Sequence, residues 1–126
     1  MLLGGNNFQP YELVDDNCIK ISRCQTTTGY IVAGHYLPTL INNIREGLKQ
    51  LIHNPHQHKL YAIDQYWFSL QRNDNWFLIT PHGAIQREGY SDIECKETNY
   101  KRVLSSVNKE FVSINGKQML RINPTT

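Results

Sequence analysis

Tyr66-Trp67-Phe68-Ser69-Leu70-Gln71-Arg72-Asn73-Asp74-Asn75-Trp76-Phe77-Leu78-Ile79-Thr80 is the stretch that decides how this chain is read. It holds both tryptophans and reads as two strands joined by a polar turn. Tyr66, Phe68 and Leu70 share one face at period two; beyond the turn, Phe77 and Ile79 take one face and Trp76 and Leu78 the other. Asn73-Asp74-Asn75 supplies side chains that bond their own backbone or tolerate left-handed geometry, so a tight reversal has a mechanism. On this reading Lys59 to Arg72 and Asn75 to Thr80 are the arms of a hairpin. Pro81-His82-Gly83 then turns the chain into a third strand, Ala84 to Glu88.

Outward from this hairpin, the pattern alternates between sheet and helix periods. Phe8 to Val14 contains Pro10, which suits an edge strand or a strand that starts after the proline. Asp15-Asp16-Asn17 is a turn, and Cys18 to Arg23 alternates with Ile19 and Ile21 inward. Thr26 to Gly29 reads as a loop and Tyr30 to Ala33 as a short buried strand. From Leu37 to His53 the period becomes helical: Leu37, Leu40, Ile41, Ile44, Leu48, Leu51 and Ile52 form one apolar stripe. Pro38 suits its first turn, Asn54-Pro55 stops it, and Gly47 weakens it by about 1 kcal/mol relative to alanine.

Gly89 to Glu97 reads as irregular. A second helix from Thr98 or Asn99 carries Tyr100, Val103, Leu104, Val107, Phe111 and Ile114 at helical spacing, with Asn115-Gly116 as its stop signal. Lys117 to Ile122 adds a final strand, and Asn123 to Thr126 frays. The expected fold class is α+β, one domain over residues 1–126. Its antiparallel β-meanders have about six or seven strands and two amphipathic helices, in the order βββαβββα(β).

At 126 residues, with 40% apolar and 19% charged side chains, the chain is long enough for one core and too apolar for disorder. Thirteen basic and 11 acidic residues give a net charge of +2, too weak a field to argue for nucleic acid or an acidic membrane. Cys18, Cys24 and Cys95, an odd number without a CxxC pair, fit reduced thiols, although a Cys24–Cys95 or Cys18–Cys95 bridge stays open. No signal-like leader or membrane-spanning apolar run is visible, so the expected location is cytoplasmic.

Motifs that would carry chemistry are weak. His53, His56 and His58 could converge on a metal ion, but Pro55 interrupts the helix and no acidic or thiol ligand follows before Asp64, so the reading assigns neither metal nor cofactor. Cys18, Cys24 or Cys95 with His35 or His82 and Asp64 or Asp92 are the parts of a nucleophilic site without any signature that joins them. His82, Arg87, Glu88 and Lys101 or Arg102 could serve a small nuclease, yet His82 between Pro81 and Gly83 reads as a turn residue. No catalytic residue is therefore assigned. Core packing accounts for most of the aromatic cluster, which leaves Trp67, Arg72 and one of the Trp76-Phe77 pair for contact. Arg87 and the acidic stretch with Tyr90, Asp92 and Glu94 complete a candidate partner-binding set.

In size and in its hairpins interleaved with helices, the chain resembles small bacterial α/β immunity proteins, including those of contact-dependent growth-inhibition systems. The features that carry the resemblance are the Tyr66–Thr80 hairpin and the helices Leu37–His53 and Thr98–Ile114. The resemblance implies a non-enzymatic inhibitor that binds and blocks a cognate toxin. The same layout is similar to single-stranded DNA-binding Whirly-type folds, so a nucleic-acid binder that uses the aromatic hairpin face is the alternative, and a small hydrolase or nuclease comes third.

Overall fold

The computed structural model describes residues 1–124, the side chains of residues 101 and 102 excepted, and is α+β. Thr125 and Thr126, part of the expected fraying tail, lie outside the described residues. The chain opens with four strands: β1 (Leu2–Asn7), β2 (Tyr11–Asp15), β3 (Cys18–Ile21) and β4 (Cys24–Tyr30). A 3-10 turn, Gly34–Tyr36, leads into α1 (Leu37–His53), followed by the short helices α2 (His58–Tyr61), α3 (Ile63–Tyr66) and α4 (Phe68–Asn73). Then come β5 (Phe77–Ile79), the hairpin β6 (Gly89–Ser91) and β7 (Lys96–Thr98), α5 (Lys101–Ser105), and the hairpin β8 (Lys109–Ile114) and β9 (Lys117–Ile122).

The main sheet has the order β2-β3-β5-β1-β4, and β1 and β5 run parallel while the other neighbours are antiparallel. Period two operates as expected in β3, where Ile19 and Ile21 are buried. They meet Leu2, Cys24 and Leu78 from neighbouring strands and Leu40, Trp67 and Trp76 from the helical side. The Asp15 carboxylate accepts from the Asn17 amide at 2.7 Å, which makes the expected turn between β2 and β3. As Pro10 requires, β2 starts after the proline and lies at the sheet edge.

Several elements differ from the expectation. The first arm of the Tyr66–Thr80 hairpin is helical: residues 59–72 fold into α2, α3 and α4, and only Phe77–Ile79 is a strand. The alternation of Tyr66, Phe68 and Leu70 is overridden by a pair four apart, Trp67 and Gln71, which both turn to Cys24. Gln71 holds the Cys24 backbone at both ends: its Nε2 donates to the Cys24 carbonyl at 2.8 Å and its Oε1 accepts from the Cys24 amide at 2.8 Å. A side-chain amide thus substitutes for a neighbouring strand at the β4 edge. Farther along that edge, the Asp64 carboxylate accepts from the Thr26 amide at 3.0 Å.

The first six strand residues, Leu-Leu-Gly-Gly-Asn-Asn, were not expected as a strand, and the expected loop Thr26–Gly29 belongs to β4, which ends at Tyr30 before the expected strand Tyr30–Ala33. Ala84–Glu88 is not a strand either. Instead residues 82–84 strap across β1, where Gly83 and Ala84 donate to the Leu3 carbonyl at 2.7 and 3.0 Å and the His82 ring meets the Gly5 carbonyl at 2.8 Å. The stretch Gly89–Glu97 is largely the β6–β7 hairpin. The expected second helix over Thr98–Ile114 shrinks to α5, because Asn115 and Gly116 both have positive φ, 50° and 77°, the geometry of a two-residue hairpin turn.

Helix α1 has the expected bounds, but its apolar stripe is only partly covered: Leu40 and Gly47 are buried while Leu37, Ile41, Leu48 and Ile52 are exposed. Gly47 is no weakness here. A Cβ at this position would stand 2.6 Å from the Tyr66 ring, so Gly47→Ala is expected to lower stability by about 1–3 kcal/mol despite the gain in helix propensity. Urea denaturation checks the sign; a stabilised variant would show that the ring yields freely.

Candidate functional site

The structure disperses the residues singled out from sequence. Trp67 is 1% exposed and its indole donates to the Cys24 carbonyl at 2.9 Å; Trp76 is 7% exposed and stacks edge-on with Trp67 at 5.2 Å. Trp67 offers no face to a partner, and the little of Trp76 that stays exposed borders a cleft rather than an open surface. Arg72 is exposed on α4, and Arg87 is exposed in the coil before β6. Tyr90, Asp92 and Glu94 occupy the separate β6–β7 hairpin, where Glu94 accepts from the Tyr100 hydroxyl and pairs with Lys96 at 3.7 Å. That carboxylate pushes the Tyr100 phenol above its usual range.

His53 ends α1 with its Nδ1 at 2.8 Å from the Lys49 carbonyl, whereas His56 lies in the following loop and His58 starts α2. Among the described residues, no group of three or more His, Cys, Asp or Glu is placed to hold a metal ion. All three cysteines are free thiols, without either of the bridges left open by the sequence. Burial pushes the Cys24 thiol up to about 12, and burial with the nearby Asp15 raises Cys18, so both move away from the thiolate a nucleophile needs. His82 is spent on the Gly5 carbonyl rather than free in a turn. The side chains of Lys101 and Arg102 lie outside the described residues.

What the structure does assemble is a surface around the β8–β9 hairpin. Its base is fixed firmly. The Gln9 amide donates to the Lys109 carbonyl at 2.7 Å, the Asn7 side chain to the Val107 carbonyl at 3.0 Å, and the Gln9 side chain to Asn108 at 2.7 Å. Lys109 is 0% exposed; its ammonium donates to the Val103 and Ser106 carbonyls and lies 5.6 Å from the Phe8 ring centre. Burial lowers its pKa to about 8, and its described hydrogen-bond partners are backbone carbonyls. Phe111 stacks on Phe8 at 5.1 Å, and the Arg23 guanidinium caps the pair, 5.3 Å from Phe8 and 5.2 Å from Phe111.

Beyond this base the hairpin is open. All six residues of β9 are exposed, and their only described backbone partners are in β8. Register pairs Phe111 with Leu120 on one face and Val112 with Met119 on the other. Counting from the two-residue turn, Gln118, Leu120 and Ile122 fall in the wide pairs, so their N–H and C=O groups point away from β8. Arg23 also borders a cleft of about 420 Å³ with Lys20 and Arg72, in which Glu12 is the one acidic side chain. The ion pairs among the described residues, Lys96–Glu94 and Arg121–Glu110, involve none of these three cations.

Sequence reasoning found Arg72 and the final strand but missed Arg23, Lys20 and the pairing of that strand with β8. Asn115-Gly116 between β-branched and apolar residues was the signal that could have found the hairpin. No helix among the described residues is long and apolar enough to cross a membrane. No family model, curated protein or solved structure matches this chain.

Proposed function

We propose that this protein is a non-enzymatic protein-binding module that takes a partner strand along β9. The observation that carries this reading is the free edge of a two-stranded sheet, exposed along its whole length and bearing Met119, Leu120 and Ile122. An isolated two-stranded hairpin is marginal in water, and a third strand would satisfy its open backbone groups and cover its apolar side chains. The basic cleft beside Arg23 suits an acidic group on the same partner. Binding of this kind suits an immunity-type role, stoichiometric occlusion of a cognate toxin with no turnover, although of the features that carried that resemblance only helix α1 keeps its expected form.

The test compares the tagged full chain with Gln118→Pro in purification from the native host. Proline at 118 removes an outward N–H without taking a hydrogen bond from β8, so the hairpin should persist while strand addition fails. One protein recovered at equal stoichiometry with wild type and lost with Gln118→Pro is the expected result. A partner retained by the variant, or none at all, sinks the reading. Recovery of nucleic acid, released steeply between about 50 and 200 mM salt, would transfer it to single-strand binding.

A further inference from the structure

We propose that a second cleft, between the 3-10 turn and the α4–β5 connection, binds a small organic cation, an ammonium or guanidinium group on an apolar body, with Asp74 as its counter-ion. The cleft has a volume of about 630 Å³ and lies at the Leu2 end of β1, whereas the β8–β9 hairpin meets the Asn7 end. That size suits a small-molecule ligand. Its walls are mainly apolar and aromatic, with Tyr30, Ile31, Val32 and Leu40 across from Trp76 and Phe77.

Polar groups converge on one point of this wall. The Trp76 indole donates to the Tyr36 hydroxyl at 3.0 Å, and that hydroxyl donates to Asp74 Oδ2 at 2.6 Å. The two donors run in one direction and the chain ends on the carboxylate, which fixes its orientation. The Tyr36 phenol is correspondingly held protonated, pushed up to about 12 chiefly by burial and then by its bond to Asp74.

Asp74 itself is only partly exposed, its Oδ1 accepts no described hydrogen bond, and among the described residues no cation pairs with it. Two basic groups border the cleft, but the Met1 ammonium is spent on the Ile31 carbonyl at 2.7 Å and His35 makes no ion pair with Asp74. A carboxylate held by a single phenol donor among apolar walls is under-compensated, and a cation with an apolar body supplies what is missing. The charge would pair with Asp74 and lie against the faces of Tyr30, Trp76 or Phe77, while an anion would be repelled and a neutral ligand would leave the carboxylate unpaired.

The full chain is titrated, by ligand-detected NMR and tryptophan fluorescence, with matched sets of arylalkyl amines and guanidines, the corresponding alcohols and the corresponding carboxylates. Cationic members should bind saturably and their partners in each set should bind about tenfold more weakly or not at all, the factor expected for one charge-assisted hydrogen bond. Asp74→Asn should remove that preference, and Ile31→Trp, which fills the mouth from an exposed position, should abolish binding even if the first variant folds poorly. The proposal fails if no cation saturates the wild type, if alcohols or carboxylates bind equally well, or if either folded variant binds cations as the wild type does.

Discussion

Trp67→Ala is expected to lose about 3–5 kcal/mol of stability, the cost of truncating a large aromatic side chain in a packed core. At about 3–4 °C per kcal/mol for a chain of this size, the thermal midpoint should fall by about 10–20 °C. The indole is enclosed on all sides: Trp76 at 5.2 Å, Tyr30 edge-on at 6.0 Å, and its own N–H spent on the Cys24 carbonyl. Alanine would leave a cavity and remove one of the two side-chain donors that hold Cys24 at the start of β4. Chemical denaturation followed by near-ultraviolet circular dichroism measures both the stability and the loss of aromatic packing. A midpoint unchanged within about 2 °C would place this ring outside the core.

The experiment also separates two roles that the sequence left together. If Trp67 were an interface anchor, alanine would preserve the fold and remove the partner. With the ring at 1% exposure, any loss of binding in this variant follows from a weakened core. On the proposed reading the contact residues are those of β9 and its basic neighbours, whose substitution should leave the midpoint nearly in place.

Local pattern was a good guide where one pattern had one solution. Helix α1 carries seven apolar positions at helical spacing between a first-turn proline and Asn54-Pro55, and no strand accommodates that period. Ile19 and Ile21 alternate about polar neighbours and form β3, and β9 runs over Lys117–Ile122 as expected. The failures lie where two periods fit the same residues. Between Tyr66 and Arg72, Tyr66, Phe68 and Leu70 fit a period of two while Trp67 and Gln71 stand four apart, and the choice is made by the edge of β4, which needs Gln71 and Trp67 on one side. Asn115-Gly116 ends a helix or turns a hairpin with equal local logic, and the stacking of Phe111 on Phe8 favours the hairpin.

The candidate sites were harder to read because their members are distant in sequence. Arg72 stood out as a charged residue beside aromatics, but its neighbours Lys20 and Arg23 come from β3 and the β3–β4 connection about 50 residues away. Tyr36 and Asp74, 38 residues apart, meet only because α1 folds back over the sheet. No single-sequence periodicity encodes such meetings.

Gly4→Ala is the second substitution expected to have a large effect, and it tests why so poor a strand sequence lies inside the sheet. A Cβ at Gly4 would be 1.9 Å from the Ala84 carbonyl oxygen, a backbone atom that cannot rotate aside, with the His82 ring 3.5 Å away. The strap must therefore lift, and its bonds from Gly83 and Ala84 to Leu3 and between His82 and Gly5 are lost with it. Overpacking at about 1–3 kcal/mol and the lost hydrogen bonds at about 1 kcal/mol each combine to about 3 kcal/mol or more. Hydrogen exchange should show the Gly83 and Ala84 amides deprotected in the variant, while Gly34→Ala, with nothing within 4 Å of its Cβ, should stay within about 0.5 kcal/mol of wild type. Retained protection at Gly83 and Ala84 would mean that β1 shifts instead of the strap. Absence of a side chain at Gly4 is, on this account, what lets residues 82–84 cross a strand that lies between two others, and the glycine serves that crossing at the expense of strand propensity.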